Sequence, residues 1–266
     1  MSSIEIVVNN TKYNVLSSKW QDFWIRVSSG QWEPDTLHVF DQFLTKDTSY
    51  IDIGAWIGPT VLYAASLAKV VYAFEPDPLA FNDLSTNVAL NPQITNIKIY
   101  PCFVGVTRGK VTMGSRDLGG DSMSSTLFAS KRTTWLAESI RLEEFVSEEK
   151  IHSPIFVKID IEGGEYSLIP KLQTFFELYR PVVCLSLHPD FLLSSFQGRP
   201  RKIPIKIRKI QFRIAVIRLW YALARFPYIY YSRGKRIFWN KELFHIVRNG
   251  KLTSTDSIVA MYDPWY

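Results

Sequence analysis

The chain has 266 residues, 47% of them hydrophobic and 14% aromatic, enough apolar material for one large domain, or one domain with an insertion. Two cysteines, Cys102 and Cys184, both in apolar strand-like runs, fit buried free thiols in a reducing compartment better than a disulfide framework. Residues 1–30 lack a signal-peptide pattern and no uncharged apolar run approaches the ~20 residues that cross a bilayer, so the expected location is cytoplasmic.

Charge is unevenly spread. Of 31 Lys and Arg and 25 Asp and Glu, 15 bases and only one acid, Glu242, lie between Arg199 and Lys251, which leaves 16 bases and 24 acids elsewhere. An acidic body carries a basic appendage.

In chain order, residues 1–48 hold a strand-like run, Ile4–Val8, an apolar stretch, Trp20–Val27, and a helix-like segment, Pro34–Leu44. They read as a cap over the ligand end of a sheet, with Trp20, Trp24 and Trp32 as packing residues. Tyr50-Ile-Asp-Ile-Gly-Ala-Trp-Ile-Gly58 follows, an apolar run that ends in an acid and turns through two glycines. A helix-like segment, Pro59–Ala68, leads to a second apolar run, Val70-Val-Tyr-Ala-Phe-Glu75. Gly54 and Gly58 are expected to let the backbone approach a ligand in front of the helix amides. Glu75, about 20 residues past the loop, is placed to accept hydrogen bonds from ribose hydroxyls. A nucleoside cofactor is implied. The dinucleotide fingerprint asks for G-x-G-x-x-G. Here Asp52 precedes the first glycine, where it would repel a pyrophosphate but could face an ammonium, directly or through water. That selects S-adenosylmethionine; the alternative is a turn whose glycines serve packing alone.

Asp77 is a predicted N-cap with Pro78 at the first helical position, and the helix runs to about Leu90. Ile97–Tyr100, Cys102–Val106 and Lys110–Met113 read as short strands. Gly119-Gly-Asp-Ser-Met-Ser-Ser-Thr126 is a hydroxyl-rich loop, either solvated surface or a source of substrate contacts through Ser124 and Ser125. Ile155–Asp160 is a buried strand, followed by Glu162, two glycines and Glu165, which is expected to cap an amphipathic helix reaching about Arg180. Pro181–Leu187 brings Ser186, His188 and Asp190 to the same edge, where open α/β sheets hold their ligand crevice. Leu243–Val247 and Ser257–Tyr262, joined at Asn249-Gly250, read as two closing strands of a seven-stranded sheet.

Tyr50-Ile-Asp-Ile-Gly-Ala-Trp-Ile-Gly58, Phe74-Glu-Pro76, Asn87 and Val157-Lys-Ile-Asp-Ile-Glu-Gly-Gly-Glu165 together resemble the FkbM family of S-adenosylmethionine-dependent methyltransferases. Ser139-Ile-Arg-Leu-Glu-Glu-Phe145 resembles the element the family places ahead of the last of these. The resemblance spans about Thr48 to Asp190; one departure is Gly164, where the family's string usually has alanine. It implies a Rossmann-like α/β methyltransferase sheet with helices on both faces, and an enzyme acting on a hydroxyl of a glycan, a glycolipid or a natural product. By position, Asp52, Gly54 and Gly58 would line the methionine end of the cofactor, Glu75 the ribose, and Phe103 and Val104 the adenine. The expected organisation is a cap over 1–48, a cofactor-binding core over 49–196, a basic aromatic-rich insertion over 197–241 and closing strands over 242–266.

A sugar hydroxyl is a poor nucleophile, and a base that takes its proton contributes about 10²–10⁴-fold. Asp160 and His188, at the ends of adjacent strands, are the candidates, with Glu162 beside the substrate. Asp160, Glu162 and a histidine could hold a divalent ion, but no fuller ligand set is visible and no metal is expected. The basic tract is either an insertion packed on the sheet, a surface for anionic lipid or an RNA-binding surface. With glycolipid acceptors implied by the resemblance, peripheral contact with an anionic membrane through residues 199–251 is the preferred functional version. Nucleic acid is not the expected partner, and an RNA ribose methyltransferase or a non-catalytic cofactor-binding protein is the competing reading.

Overall fold

A computed structural model describes residues 2–115, 120, 124–125, 133–197, 204–238, 240–250 and 257–265. The predicted sheet is present. Its strands are β3 (Ser49–Ile53), β4 (Val70–Phe74), β5 (Ile97–Tyr100), β10 (Ile155–Ile159), β11 (Val182–Ser186), β12 (Tyr228–Tyr231) and β13 (Ser257–Met261), in the order β12-β13-β11-β10-β3-β4-β5. The five strands from β5 to β11 run parallel, and β13 is antiparallel to both neighbours. Every residue of β3, β10 and β13 is buried, as strands covered on both faces require. The sheet starts at β3, builds outward through β4 and β5, then the chain crosses back to β10. The strand order therefore reverses between β3 and β10, where such sheets open a crevice at their carboxyl ends.

Helices cover both faces. One core packs α1 (Gln21–Ser28), α2 (Pro34–Phe43), α3 (Pro59–Leu67) and α4 (Pro78–Ala89) on the sheet; the other holds α5 (Leu142–Glu148), α6 (Glu165–Leu168), α7 (Gln173–Tyr179), α8 (Pro189–Gln197), α9 (Ile205–Leu223) and α10 (Asn240–Asn249). Asp77 caps α4 as expected, its side chain accepting from the Leu79 amide at 2.8 Å. A second sheet, absent from the sequence reading, joins β6 (Cys102–Gly105), β7 (Gly109–Ser115), β8 (Ser124–Ser125) and β9 (Thr134–Arg141) in the order β6-β9-β7-β8.

Two expected elements differ. The helix after Glu165 is broken: α6 gives way to a 3-10 turn at Ile169–Lys171 before α7 begins, because Pro170 has no amide to continue the ladder. Leu243–Val247 is not a strand but part of α10. Leu243, Ile246 and Val247 are its buried residues, a three-and-four spacing that belongs to a helix. Gly250, at φ +72°, donates its amide to Ile246 O and closes the helix instead of turning a hairpin. The penultimate strand is β12, from the Tyr228-Ile-Tyr-Tyr231 run assigned to the basic insertion, and Cys102 and Cys184 are free thiols.

The N-terminal hairpin of β1 (Ser3–Val8) and β2 (Thr11–Leu16) turns through Asn9 and Asn10, both at positive φ, as a tight two-residue turn demands. It is fastened to the cofactor end by Asn87, fully buried on α4, whose side chain accepts from the Leu16 amide at 2.7 Å and donates to Ile57 O at 2.8 Å. Asn87→Ala leaves both backbone groups buried without partners, and each such group costs about 1–3 kcal/mol. Urea unfolding is expected to show a loss of about 2–4 kcal/mol.

Candidate active site

The crevice between β3 and β10 opens into a cavity of 290 Å³ lined by Phe23, Arg26, Trp32, Glu33, Gly54–Trp56, Pro59, Thr60, Lys158, Asp160, Glu162 and His188. Three predicted site residues, Asp160, Glu162 and His188, meet here with Gly54. Their convergence follows from topology, since Asp160 and His188 leave the tips of neighbouring parallel strands.

The charges form a connected chain. Lys158 lies opposite Asp52 in the β10–β3 register, and its ammonium, 5% exposed, sits 3.5 Å from Asp52 Oδ1 and 3.3 Å from Asp160 Oδ2. Burial would lower the Lys158 pKa, but the two carboxylates outweigh it and hold the ammonium charged. Burial would likewise raise Asp160, but Lys158 and then His188 keep it below the usual carboxylate range. His188 Nδ1 is 2.7 Å from Glu165 Oε1, while Nε2 points between Asp160 Oδ1 at 3.6 Å and Glu162 Oε2 at 3.9 Å. Burial opposes its charge, yet Glu165, Asp160 and Glu162 prevail and push its pKa up to about 10. The ring is therefore an imidazolium at neutral pH. Glu162 goes the other way: burial, against the pull of His188, raises it to about 8, and its Oε2 is buried with no hydrogen-bond partner.

Several expectations change. Asp52 is completely buried; it accepts from Thr60 Oγ1 at 2.6 Å and Tyr50 Oη at 2.9 Å, so it supports the floor of the turn and does not face a ligand. A Cβ on Gly54 would lie 2.0 Å from the Asp160 carbonyl oxygen, and one on Gly58 would lie 2.6 Å from Leu84. With φ near +92° and +93°, these glycines answer the protein's own packing. Glu165 is fully buried against His188 and makes no helix cap. Val104 is buried in the core and offers no surface to adenine, whereas Phe103, its neighbour on β6, is half-buried. Ser124 and Ser125 pair with Ser115 and Gly114; residues 119, 121–123 and 126 of their loop lie outside the described residues. Gly120 is described, and its amide donates to Asp77 Oδ2 at 2.8 Å while its carbonyl accepts from Trp56 Nε1 at 3.3 Å.

The cap expected over residues 1–48 reaches the ligand edge through Phe23, Arg26, Trp32 and Glu33, none of which was expected to line the cavity. Phe23 packs edge-on against Trp32 and Trp56, so Trp32 lines the cavity in addition to packing. Trp56 at φ +49° and Glu162 at φ +51° are non-glycine residues in the left-handed region, a strain of about 1–3 kcal/mol each that persists where surroundings enforce it. Lys158 stands inside a fully buried apolar strand, a signal that only the Asp52 register explains.

The sequence from residue 52 to residue 213 matches the family model described as the methyltransferase FkbM domain, well over half of the chain. The chain belongs to the FkbM methyltransferase family. Its cofactor is S-adenosylmethionine. Among solved structures, the chain is similar to an FkbM methyltransferase from Methylobacillus flagellatus KT, with 15% identity and a TM-score of 0.46 over 93% of this chain and 56% of that one. This chain thus spans little more than half of that protein's length. It is also similar to TYW2 of M. jannaschii in complex with AdoMet, with 14% identity and a TM-score of 0.43 over 97% and 84% of the two chains. A third likeness is to an rRNA methylase from Streptococcus thermophilus, with 10% identity and a TM-score of 0.38 over 86% and 95%. No curated protein matches the sequence.

The residues of this FkbM-family chain fit the cofactor. Glu75, raised to about 7 by burial, accepts one amide on each oxygen, Trp56 on Oε2 and Asp77 on Oε1, both at 2.8 Å. Each oxygen keeps a lone pair, as an acceptor for a ribose diol needs. The orphaned Glu162 oxygen beside Asp160 gives the cavity the acidic lining that a sulfonium calls for. Asp160, Glu165 and His188 could offer one metal-ligand atom each within 4.8 Å. Glu165 Oε1 and His188 Nδ1 are, however, engaged with each other, and Lys158 already supplies a cation to Asp160.

Lys158→Met removes the cation between two buried carboxylates. Breaking a buried pair in this way costs about 3–5 kcal/mol, and adding Asp52→Asn is expected to recover part of it. Urea unfolding of the single and double variants measures both.

Proposed function

We propose that the chain is an O-methyltransferase whose acceptor is a sugar hydroxyl of a glycan or glycolipid. The observation that carries this reading is the lining of the 290 Å³ cavity: Phe23, Trp32 and Trp56 offer aromatic surface on one side, and Asp160, Glu162 and His188 offer hydrogen-bonding groups on the other. Aromatic faces take the apolar C–H face of a sugar ring, and carboxylates accept from its hydroxyls. At this volume the cavity sits at the lower edge of the ~300–1,000 Å³ usual for ligand pockets, which suits a single ring at the reacting position.

S-Adenosylmethionine, when bound, supplies a methyl group already activated by its sulfonium sulfur. The remaining tasks are alignment and removal of the hydroxyl proton. Glu162 takes that proton. Its pKa near 8 lies close to working pH, where a general base is most effective. His188, an imidazolium clamped by Glu165, cannot serve as the base in this state; its Nε2 lies 3.6 Å from Asp160 Oδ1 and 3.9 Å from Glu162 Oε2, where its charge attracts both carboxylates without a hydrogen bond. Asp160, ionised and tied to Lys158, accepts a hydrogen bond that orients the sugar.

The reading is tested by transfer of labelled methyl from S-adenosylmethionine into glycan, glycolipid and RNA extracts. Label is expected in the carbohydrate fractions as an alkali-stable ether. Label in RNA, or an alkali-labile ester, contradicts it. On the acceptor so found, activity is expected to rise with pH through about 8 as Glu162 loses its proton. Glu162→Gln should abolish that rise and lower kcat by about 10²–10⁴-fold. His188→Gln removes a positive charge that lowers the Glu162 pKa, so the rise should persist but shift to higher pH.

A further inference from the structure

Helix α9 is apolar on two opposite faces. Val216, Leu219, Ala222 and Leu223 are buried against the core. Ile207, Ile210, Ile214, Ile217 and Tyr221, at alternating spacings of three and four, fall on one outward face and are all exposed, from 43% at Ile214 to 68% at Tyr221. Helical spacing sets Lys206 and Arg213 along one margin of this seam and Arg218 along the other. Lys206, Lys209, Arg213 and Arg218 form no ion pair among the described residues. A groove flanks the helix on each side. One, of 450 Å³, has Leu193, Phe212 and Phe244 with Lys209, Arg213 and Arg248; the other, of 460 Å³, has Leu192, Phe196 and Ile214 with Lys171 and Arg218.

We infer that the outer face of α9 docks on the surface of an anionic lipid bilayer. An apolar strip between cations is the pattern that seats a helix in the plane of the interface, its isoleucines among acyl chains and its bases at the phosphates. The helix is already folded on its inner face, so docking orders no new segment. A second copy of this chain is a poor occupant: α9 carries five cations and no acid, and pairing two such seams would press like charges together. No described helix is long and apolar enough to cross a membrane, and the docking needs none. Because α9 packs on α6, whose Glu165 holds His188, the docked protein would keep its catalytic edge close to the headgroups. The inference stands whichever acceptor is methylated.

The test is co-sedimentation of the full chain with vesicles of equal parts phosphatidylglycerol and phosphatidylcholine, against pure phosphatidylcholine, at about 0.1 M salt. Binding to the anionic vesicles is expected to be at least about tenfold tighter. Ile214→Asp with Ile217→Asp, and separately Arg213→Glu with Arg218→Glu, should each weaken it by about tenfold or more. S-Adenosylmethionine binding by calorimetry, unchanged in both variants, shows that they fold. The inference is overturned if the wild type ignores anionic vesicles, or if the isoleucine variant binds them as well as wild type. It is equally overturned if the wild type is a dimer in lipid-free buffer that the isoleucine variant dissociates, or if it binds an RNA homopolymer and no vesicle.

Discussion

The structure depends on one buried cation. Lys158 stands in the middle of β10, in a strand with no other polar side chain, and its ammonium bridges Asp52 on β3 and Asp160 at its own strand end. Desolvating an ammonium is costly unless paired on more than one side, so its position fixes the register of the two strands at the point where the sheet reverses direction. From there the alternation continues through His188 to Glu165, and signs are matched along the line. Glu162 is the group left over, with no fixed cation of its own and a buried oxygen without a partner. Asp52 and Glu165 also keep one buried oxygen without a hydrogen bond, but each lies closer to a cation than Glu162 does, and burial raises Glu162, which places the proton affinity of the site there.

Backbone strain falls in the same place. Trp56 and Glu162 hold left-handed conformations on opposite walls of one cavity. Trp56 does so because its ring is wedged among Trp20 and Phe23 and hydrogen-bonded to Gly120. Glu162 does so because the turn from β10 into α6 is completed by Gly163 at φ +89°. Rigid walls of this sort keep reacting groups aligned, which is most of what methyl transfer from an activated donor asks of a protein.

The sheet was legible because its parallel strands are short and apolar, because β3, β4 and β10 carry an acid at or near their ends, and because helices with their own start signals, such as Asp77-Pro78, follow them. The meeting of Asp160, Glu162 and His188 was legible for the same reason, since adjacent parallel strands deliver their ends to one edge. The roles were less so. Asp52 and His188 each look like free functional groups in sequence, and only the register with Lys158 and the contact with Glu165 turn one into a support and the other into a fixed cation. Leu243–Val247 was misread because a run of five residues cannot separate the two periods; the flanking Asn249-Gly250 serves equally as hairpin turn and helix stop. The second sheet was half legible: Cys102–Val106 and Lys110–Met113 read as strands, but the half-exposed β9 and the two-residue β8 did not, so the sheet they complete stayed out of sight. The outer seam of α9 was hidden because apolar residues lie on two faces and Arg213 and Arg218 fall on different sides of the wheel, so no single apolar stripe stands out.

The most direct measurement is a crystal structure of the chain with S-adenosylhomocysteine. The account predicts ribose hydroxyls on Glu75, and the sulfur turned toward an open space bounded by Glu162, Asp160 and the aromatic wall, with Lys158 still between Asp52 and Asp160. A sulfur facing away from Glu162, or a Glu162 carboxylate closed off from acceptor space by the bound nucleoside, would contradict it.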